Sequence, residues 1–213
     1  MSSNDLIDEL LRITPGSRLD RVRRHRTVAR DNVQLAYEAL FEPADDGALS
    51  HLERLAVATF VTGLHRQDAL NTHYANLLGW TDGGPGIAAV IEAEIQHGLT
   101  EGPYGNYPAG PLSREDRAGL IYAPSADNAR FLGERLAAAL THAHLLVFRP
   151  RDSSRKALEA LATAGFSTAG IVTLSQLVSF LAFQARLVEG LSALAASEAG
   201  AANDTTVSQH ATA

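Results

Sequence analysis

Ten residues, HRQDALNTHY from His65 to Tyr74, bring together two histidines, an arginine, a glutamine and an aspartate. Imidazoles exchange protons near neutral pH, and a guanidinium grips a carboxylate through paired N–H bonds. Proton transfer or carboxylate binding is therefore the chemistry to expect of this stretch, with Glu53 upstream as a candidate carboxylate. Electron transfer through thiols is not, because the chain has no cysteine. Disulfides, thiolate nucleophiles, cysteine-based zinc sites and iron–sulfur clusters are excluded with it. His142 and His144 share a face only on a strand, and here a helix is read, where they diverge. His65 and His73 lie eight apart, about two helical turns, a spacing that allows them one face. No acidic residue stands at the four-residue spacing of a zincin motif. No metal and no other cofactor is expected.

Helices must position these residues. Leu6, Leu10, Leu11 and Ile13 form a short amphipathic opener that stops at Thr14-Pro15-Gly16. Ser17, with Asp20 three residues on, caps a helix read as running to Phe41. Ser50 and Glu53 form a capping box, followed by Leu52, Leu55, Ala56, Thr59, Phe60 and Gly63 at helical spacing. The small residues Ala56, Ala58 and Gly63 suggest a close neighbouring helix. The quoted stretch falls where this helix ends, and Asp68 is read as the cap of the next, which reaches Leu78. Ile87 to His97 is another helix, and TEGPYGNYPAGP (100–111) an irregular loop. Ser113 caps a short helix and Asp127 opens one that reaches His144. Ser153 or Ser154 starts a helix ended by Gly165, and Ser167 starts the last, about 168–195. HLLVFRP (144–150) is the best strand candidate, but it has no partner strand. The reading is one all-α domain over 1–196 and a disordered tail over 197–213.

Composition limits the partners. The 213 residues are 46% apolar and 20% charged, as in a folded globular chain. A net charge of −6 and a pI near 5.7 argue against nucleic acid. The exception is RLDRVRRHRTVAR (18–30), read as a solvated basic face rather than a lipid or nucleic-acid surface. The N-terminus lacks the basic region of a secretory signal. The longest apolar run, 171–185, is interrupted by polar residues, so no membrane span is expected and a cytoplasmic protein is the default.

The segment LSHLERLAVATFVTGLHRQDALNTHY, from Leu49, resembles the core helix pair of the alkylhydroperoxidase AhpD-like and carboxymuconolactone decarboxylase (CMD) superfamily. So does ALEALATAGFSTAGIVTLSQLVSFLAFQARLVEGL (157–191), with its turn and long final helix. The resemblance, strongest to CMD domain proteins, covers roughly residues 5–195 and implies an AhpD-like helical fold that self-associates. Family members carry Cys-x-x-Cys-x-x-x-His after the first helix. Aligned without gaps from Leu49, the two cysteine positions fall on Gln67 and Leu70 and the motif histidine on Tyr74. A one-residue gap moves them to Arg66, Ala69 and His73. Dithiol peroxide reduction is impossible under either alignment.

What remains is a non-redox ligand-binding protein or a partner subunit, in a homo-oligomer or beside a cysteine-bearing AhpD-like chain. The alternative is a CMD-like decarboxylase. There Glu53, His73 and Tyr74 would be the catalytic groups, Glu53 and His73 forming an acid–base pair. His65, Arg66, Gln67 and Trp80 would bind a small ligand, and Arg54 or Arg66 would hold its carboxylate. The plainer alternative makes Glu53 a helix cap and His65–Asp68 a solvated helix end. Trp80, Tyr104 and Tyr107 would line a pocket or an interface, and the broad apolar faces of the final helix favour assembly.

Overall fold

The computed structural model describes residues 5–197 in full. The tail expected over 197–213 lies, Ser197 apart, outside the described residues. Among the described residues there is no strand, only a lone antiparallel bridge between Gly105 and Arg117. The all-α reading holds.

The centre of the fold is α4 (His51–Leu64). Leu55, Ala56, Val57, Ala58, Phe60 and Val61 are all fully buried. A helix apolar on every side is stable only when surrounded. Here α5 (Asp68–Trp80), α6 (Gly84–Gly98), α7 (Ala126–Phe148) and α9 (Thr168–His210) pack around it. The capping box forms as read: Ser50 Oγ accepts from the Glu53 N–H (3.3 Å), and Glu53 Oε2 accepts from the Ser50 N–H (2.8 Å). At Gly63 a Cβ would lie 2.6 Å from Ile95 Cδ1, so α6 does approach at a small residue. Asn71 Nδ2 donates to Thr59 O (2.8 Å) and pins the first turn of α5 beside the middle of α4.

Several boundaries differ from the sequence reading. The helix expected from Ser17 to Phe41 is two, α2 (Arg18–Arg24) and α3 (Thr27–Phe41), separated at Arg26 (φ −125°, ψ 63°). The break lets Arg23 and Arg30, from two helices, reach the same acidic pair on α1 (Leu6–Leu10) and its cap. Arg23 binds Asp5 (2.7 Å) and Asp8 (2.6 Å), and Arg30 binds both as well. The arginine cluster is thus partly spent on Asp5 and Asp8, while Arg24 pairs with Asp20.

Gln67, not Asp68, caps α5, and Ser125, not Asp127, caps α7. Ser113 lies inside a 3-10 turn, Pro111–Glu115, where its Oγ accepts from the Gly110 N–H (3.1 Å). The strand candidate is the end of α7, a helix broken within by Gly133 (φ 78°), in a region open to glycine at no steric cost. Ser154 caps α8 (Arg155–Thr163).

By length and composition, Thr168–Ser197 of α9 is a helix able to cross a membrane, with mean hydropathy 1.5 in its most apolar window. Its Leu174, Leu177, Val178, Leu181, Val188 and Leu191 are buried in the core, however, which accounts for the apolarity. Among the described residues of this helix, Val172 and Phe183 are the exposed large apolar side chains. The apolar face invoked for assembly is therefore mostly used internally.

Candidate functional site: the elbow between α4 and α5

α4 ends in a Schellman turn. The Gln67 N–H donates to Thr62 O (3.2 Å) and the Arg66 N–H to Gly63 O (2.9 Å). Such a turn needs a left-handed residue, usually glycine, and Arg66 takes that place at φ 53°. A side chain there costs about 1 kcal/mol. Arg12 (φ 51°) ends α1 in the same way, with Ile13 N–H donating to Asp8 O (2.8 Å).

The turn sets His65, Arg66 and Gln67 on one wall of a surface concavity. Ala185, Arg186, Glu189 and Gly190 of α9 form the other. Gln67 Nε2 donates to Glu189 Oε2 (3.2 Å), and its Oε1 accepts from the Ala69 N–H (3.2 Å). Arg186 donates to Ala182 O at the end of its own turn. His65 Nε2 is buried with no hydrogen-bond partner. Burial lowers the His65 pKa to about 4, and the neighbouring Arg186 pushes the same way. At neutral pH the concavity is therefore lined by a neutral imidazole and by Arg66 and Arg186, with Glu189 bonded to Gln67.

The other predicted residues lie elsewhere. Glu53 bonds Ser50 and Arg135, which also donates to Ala48 O and Gly165 O. His73 faces α3, where its Nε2 meets Tyr37 Oη at 3.3 Å. From the Asn71–Thr59 bond, His73 sits roughly four to seven residues along α4 from Glu53, about 6–10 Å at 1.5 Å per residue. The expected acid–base pair is not formed: Glu53 is engaged by Ser50 and Arg135, while His73 turns to Tyr37 on α3.

Tyr74 is fully buried and donates to Gln184 Oε1 (2.7 Å). Burial and nearby Tyr37 raise its pKa well above the ordinary phenol value, against the Gln184 bond, so the phenol stays protonated and joins α5 to α9. Arg54 is also buried, and its three hydrogen bonds go to the backbone carbonyls of Leu40, Asp46 and Leu49.

Trp80 is 82% exposed. It lies at the end of α4 marked by the Leu52–Gly83 contact, away from the elbow. Tyr104 belongs to the opposite end, stacked on Phe148 and bonded to Leu120 O, while Tyr107 lies under Arg151. The three aromatics do not converge. His142 and His144 diverge, the first toward Ser175 and the second toward Gly98 O (2.9 Å).

One polar centre was not singled out from sequence. Glu94, wholly buried on α6, accepts from Tyr122 Oη (2.7 Å), Asn128 Nδ2 (2.7 Å), the Ser125 N–H (3.1 Å) and His97 Nδ1 (3.2 Å). Tyr122 in turn stacks on His144 at 4.6 Å. The cluster fastens the 100–125 loop to α6 and α7. The donors to Glu94 come from α6, α7 and the loop between them, so the carboxylate ties this junction together.

His144 gives the cluster a pH response. Burial lowers its pKa to about 4, opposed by its bond to Gly98 O. In the unfolded chain a histidine protonates near 6.5. Protons therefore favour unfolding between those values. This contribution is complete above about pH 6.5 and is lost as pH falls toward 4, by roughly 3 kcal/mol at most. Urea unfolding at pH 7 and 4.5 should show a markedly smaller drop for His144→Phe than for the parent. Equal drops would remove His144 from the account.

No protein-family model, curated protein or solved structure shows significant similarity to the chain.

Proposed function

We propose that the chain is a redox-silent relative of the AhpD-like and CMD proteins that it resembles, and that it binds a small carboxylated ligand at the α4–α5 elbow. It does so as a subunit of a homo-oligomer or beside a cysteine-bearing AhpD-like partner. The observation that carries the reading is the elbow concavity itself. Arg66 and Arg186 line it together with a neutral His65, whose Nε2 has no hydrogen-bond partner, at the segment where the family's thiols would align. Leu70, one of the aligned thiol positions, is fully buried and Gln67 is tied to Glu189, so neither offers redox chemistry. Guanidiniums suit a carboxylate, and a neutral imidazole can add a hydrogen bond without a second charge.

The expected result is that benzoate binds and benzamide does not, followed by the His65 ring resonances. Arg66→Gly should abolish benzoate binding while raising stability by about 0.5–1 kcal/mol, because glycine meets the left-handed turn without strain. Arg12→Gly is the matched control: similar stabilisation, unchanged binding. Benzoate bound equally well by Arg66→Gly would rule out the anion site. With an alkyl hydroperoxide and a dithiol reductant, no turnover above background is expected, and mutation-sensitive turnover would refute the redox-silent reading.

A further inference from the structure

A second polar pair lies beneath α8. His142 Nε2 on α7 and Ser175 Oγ on α9 are 3.3 Å apart. The Ser175 hydroxyl gives its own proton to Ile171 O (2.8 Å), so it accepts from the imidazole, and the His142 proton is assigned to Nε2. Nδ1 is then a bare acceptor. It is buried with no hydrogen-bond partner, in a residue only 5% exposed. An unmet buried acceptor is costly and rare enough to require a reason.

The same histidine lines an apolar cavity of about 260 Å³ between α7 and α8. Ala138 and Leu145 form one wall, and Ala157, Ala160 and Leu161 the other. Thr141 is there too, but its hydroxyl already donates to Ala137 O. The cover is a weak one. α8 has nine residues and a single fully buried side chain, Leu161. Ser154 in extended conformation leads into it, and Gly165 at φ 90° follows it. An element with one buried anchor opens locally at small cost.

We propose that the α7–α8 cavity is a binding site for a small, mainly apolar molecule carrying one O–H or N–H donor, which reaches His142 Nδ1 when α8 lifts. The chemistry of the lining selects this class. No cation borders the cavity, and burial holds the imidazole neutral, so a carboxylate has no counter-charge there. A ligand with only acceptors would face the lone pair of Nδ1 and leave it unsatisfied. The apolar walls reward a flat or aliphatic body. This site is separate from the elbow and stands whether or not the elbow binds carboxylates.

Calorimetric titration of the full chain with 2-naphthol and 2-methoxynaphthalene tests this directly, because the two share a ring system and only the first donates. 2-Naphthol should bind at least roughly tenfold more tightly, the worth of one hydrogen bond to a buried group. His142→Phe should level the two affinities. Ala160→Trp, filling the cavity from an exposed helix position, should abolish both without lowering the melting temperature. In the unsubstituted protein, the His142 Nδ1 nitrogen resonance should move with 2-naphthol and stay put with the ether, a readout that needs no variant. Absence of naphthol binding, equal affinities, an unmoved resonance, or binding that survives Ala160→Trp would each overturn the proposal.

Discussion

Glu94→Ala is expected to lower the unfolding free energy by about 3–5 kcal/mol, the range for removing one member of a buried charged network. The reason is what it strands. Tyr122 Oη, Asn128 Nδ2 and the Ser125 N–H all donate to this carboxylate, which is itself fully buried. Alanine would leave those donors facing a cavity where water is scarce. Glu94→Gln keeps the shape but turns two hydrogens toward a ring of donors, so it should cost about half as much.

The ionised form also sets a pH dependence. Burial pushes the Glu94 pKa up, but bonds from Asn128, Tyr122, the Ser125 backbone and His97 outweigh burial and hold it below the ordinary carboxylate value of 4.5. A depressed folded pKa means stability that is present above 4.5 and is lost as pH falls below it. Urea unfolding at pH 7 gives the first quantity, and a loss of less than 1 kcal/mol in Glu94→Ala would show the network to be dispensable.

Arg54→Met should be nearly as damaging, by about 3–4 kcal/mol. Arg54 is 5% exposed and donates to Leu49 O (2.9 Å), Leu40 O (2.9 Å) and Asp46 O (3.0 Å). It therefore knots the end of α3, the 42–50 connection and the start of α4 through carbonyls that no helix satisfies. Burial lowers its pKa, with Asp46 and Glu53 opposing, yet a guanidinium remains charged at any working pH. Methionine keeps the stem and loses all three bonds. Arg54→Lys should recover only part of the loss, since one ammonium cannot span three diverging acceptors. Amide exchange should quicken over 42–50 in both variants. Protection unchanged there, with stability intact, would contradict the role.

Local signals were the legible ones. Ser17, Ser50 and Ser154 cap as their spacing predicts, and Gly165 ends α8. Each depends on residues within a turn of one another. The small residues of α4 announced a close neighbouring helix, and Ile95 of α6 lies against Gly63. Pairings across the fold were not legible. Asp5 and Asp8 gave no sign that Arg23 and Arg30 would turn to them, and so the split between α2 and α3 was missed. Glu53 and His73 do not pair because Arg135, eighty-two residues from Glu53, and Tyr37, thirty-six from His73, engage them, and such distant partners are unseen in sequence.

Glu94 could have been found. It shares the inward register of Ile91, Ile95 and Gly98, and a carboxylate on a core stripe implies several donors opposite. His142 was noticed for its spacing from His144, but its empty acceptor depends on Ser175, thirty-three residues away.

The N-terminal helix is fastened to the body by opposite charges as well as by Leu6 and Ile7. Asp5 and Asp8 stand as the counter-ions of a guanidinium that is only 5% accessible in its side chain. Trimming the polypeptide past Asp8 would thus do more than shorten it. It would remove both counter-ions and the cover of Arg23 together, open that guanidinium to water, and loosen the seat of α2 against α3.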